Sequence, residues 1–235
     1  DEAARTGLQT LNYNQFPLKE RLKLAEGNRL TAQALLYKQI FEKIGLTKGK
    51  ILVYGKSDVG KFYTILKRLE EMLPDLQFAG DLEDAVLLQA MATKDPEEIV
   101  RIRQMGQNVI NVVSRVENFL TEHDVNNEVL IKNDGTPLLI GDVKRKINLW
   151  LAEVGAENPE DTIFAIGRDA GIPHSSGTPT DPLRLGQTIV FDIFPCENGG
   201  GYFYDFTRTW CLGYAPDKAH EVYGQVKAVY NQLVS

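Results

Sequence analysis

Two aspartates stand inside two apolar, strand-like runs, Thr188-Ile-Val-Phe-Asp192 and Gly201-Tyr-Phe-Tyr-Asp205-Phe-Thr-Arg-Thr209. The runs are joined by Pro195-Cys-Glu-Asn-Gly-Gly-Gly201, and Asn198-Gly199 is a strong two-residue hairpin signal because a type I′ turn needs positive φ at both central positions. A turn there predicts a register in which Glu197 meets Gly200, Phe194 meets Phe203 and Asp192 meets Asp205, with Phe191 and Phe206 paired on the opposite face. The two carboxylates then share one face with Cβ atoms roughly 5 Å apart, where like charges destabilise a sheet. A raised pKa on one carboxyl or a bound cation relieves that repulsion. Paired carboxylates around divalent ions are a common hydrolytic device. The competing explanation is structural: a lone Asp in a strand is often an edge or bulge residue, and three consecutive glycines can move the register.

The bulk numbers narrow the setting. A chain of 235 residues suggests one large or two small domains, and 43% hydrophobic with 25% charged residues is ordinary for a globular protein. A net charge of −6 argues against non-specific nucleic-acid binding, which needs a basic face. No apolar run reaches the roughly 18 residues that a membrane-spanning helix needs, and no signal peptide opens the sequence as given. Cys196 and Cys211 are too few for a disulfide framework; a single bridge between them is the alternative to two free thiols, which are expected, with the cytoplasm as the default compartment. Asp1-Glu-Ala-Ala at one end and a helix-like run to Ser235 at the other read as a segment of a longer protein.

Along the chain, residues 1–28 lack a clear period and predict loop with a turn of helix. Leu30–Ile44 predicts a helix ending at Gly45, Lys50–Tyr54 a short buried strand, Asp58–Leu73 a helix stopped by Pro74, Leu76–Phe78 a second strand and Asp81–Met91 a helix. Strand, helix, strand, helix suggests a parallel α/β unit. A boundary falls near Ala92-Thr-Lys-Asp95. Asp95-Pro96-Glu97-Glu98 starts the next helix strongly, with Asp95 as N-cap, Pro96 at the first helical position and Glu98 closing a capping box. Apolar residues from Ile99 to Phe119 then recur at helical spacing. Val129–Ile140 predicts a hairpin turning at Asp134-Gly135, Gly141–Val154 a helix, Thr162–Ile166 a strand, Gly167–Gly186 a loop, and Ala215-Pro216-Asp217 the start of a last helix. From residue 95 the layout is α+β.

Other candidates accompany the aspartates. His174 lies in the loop Arg168-Asp-Ala-Gly-Ile-Pro-His-Ser-Ser176, where it is positioned to donate a hydrogen bond or shuttle a proton; an isolated loop histidine is otherwise merely solvated. His123 and His220 fall near helix ends and receive no role. Thr207 and Thr209 share the aspartate face, within reach of hydrogen-bonding a carboxylate or a substrate; strand propensity is the ordinary and preferred explanation. Tyr204 and Phe206 point to the other face as core residues. Gly55-Lys-Ser-Asp-Val-Gly60-Lys61-Phe62 resembles a phosphate-binding loop, but Phe62 occupies the place where Ser or Thr must hold magnesium.

Taken together, Phe164-Ala-Ile-Gly-Arg-Asp-Ala-Gly-Ile-Pro-His174, Leu185-Gly-Gln-Thr-Ile-Val-Phe-Asp192 and Gly201-Tyr-Phe-Tyr-Asp205-Phe-Thr-Arg-Thr-Trp210 with Gly213 resemble the pita-bread metallopeptidases, the family of aminopeptidase P, Xaa-Pro dipeptidase and methionine aminopeptidase. Ala92-Thr-Lys-Asp-Pro-Glu-Glu-Ile-Val-Arg-Ile-Arg103 is similar to the opening helix of that catalytic domain. The likeness implies a catalytic domain begun over residues 92–235. It is preceded over 1–91 by part of the small α/β domain found in the proline-cleaving branch.

The resemblance also implies two divalent metal ions, manganese, cobalt or zinc, held by two Asp, one His and two Glu in that chain order. Asp192 matches the ligand of one metal, Asp205 the bridging ligand, and His174 the family's substrate-side histidine, which binds no metal. The implied reaction is hydrolysis of the bond before proline in peptides with proline second, by a hydroxide bridging the metals, in a cytoplasmic homodimer with no nucleic-acid or membrane partner. Two departures stand out. Asp192-Ile-Phe-Pro replaces the family's Asp-x-Gly, with a longer loop before Asp205, and the remaining His and Glu ligands do not follow within these 235 residues. The segment alone is therefore expected to be inactive, and a non-catalytic peptide- or protein-binding module of the same fold is the alternative.

Overall fold

The computed structural model describes residues 7–83 and 85–234; the readings of Asp1–Ala4, of Asp84 within the helix expected over 81–91 and of Ser235 lie outside the described residues. The chain divides into two compact units, Asp1–Thr93 and Lys94–Ser235.

The first unit holds α1 (Leu18–Leu24), α2 (Arg29–Lys43), β1 (Gly49–Val53), α3 (Val59–Met72), β2 (Leu76–Gly80) and α4 (Ala85–Ala92). β1 and β2 pair in parallel, Gly49 with Leu76 through Val53 with Gly80, as a strand–helix–strand unit requires. A small apolar cluster of Leu69, Leu73 and Leu76, flanked by Tyr37, Phe41, Ile51 and Phe78, holds α2, α3 and the two strands together.

The second unit opens on α5 (Pro96–Thr121). Asp95 accepts from the Glu98 N–H at 2.8 Å while Glu98 accepts from the Asp95 N–H at 2.7 Å, so the expected capping box is complete. Then follow β3 (Asp124–Asn126), β4 (Val129–Ile131), α6 (Ile140–Glu153), β5 (Ala156–Glu157), β6 (Ile163–Ile166), β7 (Thr188–Ile193), β8 (Cys196–Glu197), β9 (Phe206–Cys211) and α7 (Asp217–Val234). β4 pairs with β3 through a turn at Asn127-Glu128, both at positive φ, a hairpin absent from the sequence expectation. The expected turn at Asp134-Gly135 also forms, closed by the Lys132 N–H on the Thr136 carbonyl at 2.8 Å, and brings Pro137 opposite Ile131.

The central sheet runs β6-β7-β9, all antiparallel. Along β7, Ile189, Phe191 and Ile193 are buried, while Thr188, Val190 and Asp192 between them are half-buried. The buried set packs with Phe164 and Ile166 of β6 against Met105, Val109, Val112, Val116 and Leu120 of α5 and Val143, Ile147 and Leu151 of α6. The two helices thus cover one face of the sheet and leave the other to the polar half of each strand.

Candidate metal centre

The hairpin that carries the aspartates forms in a register two residues away from the one predicted. Asp192 pairs with Thr207 and Ile193 with Phe206, not Asp192 with Asp205. The physical reason is the turn. Four residues, Asn198–Gly201, make the loop: the Glu197 N–H donates to the Tyr202 carbonyl at 3.1 Å, and the Glu197 carbonyl accepts from the Gly200 and Gly201 N–H groups. Cys196 then bridges to Phe203. Because side chains alternate with a period of two, this shift changes every cross-strand neighbour and no face. Asp192 and Asp205 still project to the same side.

Asp205 falls at a break between the β8 and β9 pairings, where Pro195 has no N–H to give and its carbonyl accepts from the Tyr204 N–H at 3.1 Å. It sits one diagonal step from Asp192, within reach of a side-chain hydrogen bond to it. Partial burial, then the charge of Asp192 and that hydrogen bond, push the Asp205 carboxyl above the ordinary carboxylate value. Two carboxylates this close need a shared proton or a cation between them. Asp192 is itself held: the Thr207 hydroxyl donates to its Oδ1 at 2.6 Å. Thr207 therefore orients a carboxylate, the less favoured of its two expected roles. Thr209 lies opposite Val190. Tyr204 and Phe206 pack against the core, as expected.

His174 is exposed and adopts φ +59°, a conformation few non-glycine residues take. Two residues on, the Ser176 carbonyl accepts from the Phe164 N–H at 3.3 Å, so this loop lies along the free edge of β6, next to the Ile163–Asp192 pair. Among the described residues no hydrogen bond joins His174 to either aspartate, and no group of three or more His, Cys, Asp or Glu side chains converges to hold a metal. The oxygen donors of Asp192 and Asp205 suit a hard divalent cation, as part of a coordination shell.

Elsewhere, the loop at Gly55–Lys61 is a capped helix start. Asp58 accepts from the Lys61 N–H at 3.0 Å and places a carboxylate where a phosphate would have to sit. His123 caps its own helix through Nδ1 and the Phe119 carbonyl at 2.7 Å. Cys196 and Cys211 are free thiols. No helix among the described residues is long and apolar enough to cross a membrane.

A two-unit chain with helices packed on one face of an antiparallel sheet, and paired carboxylates on the other, has the α+β architecture of the pita-bread metallopeptidases. Residues 79–235 match the profile of metallopeptidase family M24, two-thirds of the sequence, and the chain belongs to that family. Among solved structures, an X-Pro aminopeptidase from Thermotoga maritima superposes with a TM-score of 0.61 at 20% identity, covering 82% of this chain and 48% of its own. An Xaa-Pro dipeptidase from Bacillus anthracis gives 0.62 at 18% identity, covering 82% and 47%. A prolidase from Pyrococcus furiosus gives 0.56 at 21% identity, covering 78% and 48%. The chain thus spans about half the length of these structures, and at such identities the likeness is one of fold. No curated protein matches it.

Proposed function

We propose that this chain is the leading part of an Xaa-Pro peptidase of the aminopeptidase P or Xaa-Pro dipeptidase type. In this reading residues 92–235 begin the catalytic domain, residues 1–91 belong to the preceding α/β domain, and the complete protein is a homodimer acting on peptides with proline second. Asp192 and Asp205 would supply two ligands of a divalent-metal centre. The observation that carries the reading is their approach on the sheet face that α5 and α6 leave open, where the raised Asp205 carboxyl calls for a counter-charge.

Divalent ions bound there would supply Lewis acidity toward the scissile carbonyl and acidify water near neutral pH. The chain's own residues do the rest. Thr207 holds the Asp192 carboxylate in one orientation, and the break at Pro195 frees Asp205 from the ladder to reach it. In this reading His174 donates to the carbonyl oxygen as charge develops. Its positive φ supports a functional role, since such backbone is retained chiefly where the surroundings demand it.

The test is made on the complete protein. Manganese-dependent release of the residue before proline is expected, and Asp192→Asn and Asp205→Asn are each expected to abolish it. His174→Asn, a residue that tolerates the same backbone, is expected to lower kcat while leaving the melting temperature in place. Full activity in Asp205→Asn would defeat the assignment. A second reading, a peptide-binding module without catalysis, draws on the convergence of only two acidic donors among the described residues. Saturable peptide binding with no metal uptake would select it.

A further inference from the structure

The hairpin loop is gripped by the start of α5. Arg101 donates through Nε to Glu197 Oε1 at 3.2 Å and through Nη2 to Oε2 at 2.5 Å, a two-pronged pair. The same Oε2 accepts from the Tyr202 N–H at 3.0 Å. The Tyr202 hydroxyl reaches Glu98 Oε1, and the Arg101 guanidinium lies over the Tyr202 ring at 4.8 Å from its centroid. One turn further along α5, the Tyr204 ring rests on Gly106, where an added Cβ would come within 2.5 Å of it. Tyr202 and Tyr204 alternate with Phe203 and Asp205, so α5 holds the back of the arm whose front presents Asp205.

We infer that Arg101, Glu197 and Tyr202 are positioning residues that select the hairpin register and thereby set the geometry of the Asp192–Asp205 pair; this rests on the metal-site reading proposed above. The loop would otherwise close at Asn198-Gly199, the tightest turn its sequence allows. That closure would put Asp205 directly opposite Asp192 and separate Glu197 from the Tyr202 N–H. The observed loop instead folds the Glu197 carboxylate over Gly201, whose Cβ, if present, would lie 2.0 Å from Oε2 and 2.8 Å from Glu197 Cβ. Glycine at 201 makes room for the carboxylate, Arg101 fixes the carboxylate, and the fixed carboxylate holds Tyr202 two residues out of the tight-turn register. Asp205 is carried with it, to the diagonal position at the Pro195 break.

The experiment follows the isotopically labelled complete protein by nuclear magnetic resonance, using manganese ion alone as the probe. One readout is the set of cross-strand proton contacts, Asp192 with Thr207 in the observed register and Asp192 with Asp205 in the tight-turn register. The other is the manganese concentration that broadens the Phe206 and Thr207 amide signals. Glu197→Gln and Gly201→Ala are expected to weaken the Asp192–Thr207 contact and to raise the required manganese about 10-fold or more, the scale on which outer-shell partners act on metal affinity. Tyr202→Phe, which removes a single hydroxyl, serves if the others do not fold, and it should shift both readouts in the same direction by less. Variants that keep the Asp192–Thr207 contact and the unaltered manganese response overturn the inference, even where their melting temperature falls. If the unaltered complete protein shows no manganese response, the metal-site reading fails. The cross-strand contacts then decide alone: their loss in Glu197→Gln upholds the register role and their retention refutes it.

Discussion

The two faces of the β6-β7-β9 sheet are made by the same strands with the same alternation, yet they are specified by different physics. On the helix-covered face Phe164, Ile189, Phe191 and Ile193 are all 0% exposed, and shape and hydrophobic transfer decide their places. Phe191 meets Phe164 edge-to-face at 5.3 Å and Trp210 at a tilt at 5.4 Å between ring centroids. On the open face Asp192, Thr207 and Asp205 are placed by hydrogen bonds and by repulsion between like charges. The first face tolerates no error of one residue, because a slip of one turns its apolar set toward water. The second face is sensitive to a slip of two, which leaves the core residues facing the core and rearranges only which polar groups meet. Something beyond the strands must fix the second face, and the grip of α5 on the loop does so.

Substitutions can break this contrast, beginning with the largest effect. Phe191→Ala on the covered face should cost about 3–5 kcal/mol in urea denaturation, with the cavity and lost transfer adding. If the loss were below about 1 kcal/mol, the covered face would not be the stabilising one. Thr207→Val on the open face should cost about 1 kcal/mol, the net worth of one exposed hydrogen bond. In the same variant manganese affinity should fall by a factor of about ten. That ratio of small stability loss to large binding loss would mark the open face as functional.

Two pH experiments sharpen the comparison further. The Arg101 pair, then the Tyr202 N–H, holds the Glu197 carboxyl below its ordinary range. A lowered folded-state pKa contributes stability above the unfolded-state value and loses it as pH falls through the folded one. The melting temperature of Glu197→Gln should therefore lag the unaltered chain at neutral pH and converge with it in acid. Asp205 has the opposite sign. Its raised carboxyl favours the folded state while protonated and penalises it once pH climbs past the ordinary carboxylate range. In metal-free protein Asp205→Asn should therefore raise the melting temperature at neutral pH and make no difference in strong acid. The effect should be the smallest of the four, because Asp205 is exposed and solvent screens its repulsion. A stabilising effect that persisted in acid would locate its cause in packing.

Much of this arrangement is legible in the residues because the controlling forces are local. The Asp95–Glu98 capping box, the apolar spacing of α5, the parallel strand–helix–strand order near the amino terminus and the alternation of β7 each depend on groups a few positions apart. The common face of Asp192 and Asp205 belongs with them, since parity survives any even shift of register. The register itself was not legible. It hangs on a contact between Arg101 and Glu197, 96 positions apart, and on the room that Gly201 leaves for a carboxylate. Neither has a local signature, and Asn198-Gly199 argued for the tighter turn. Whether Thr207 would meet a carboxylate was undecided for the same reason, because its pairing with Asp192 exists only in the register that forms. Periodicity along the strands therefore decides which side each carboxylate takes. Only the packing of the loop on α5 decides which partner it meets there, because backbone pairing alone allows both registers and side-chain contacts distant in the chain must choose between them.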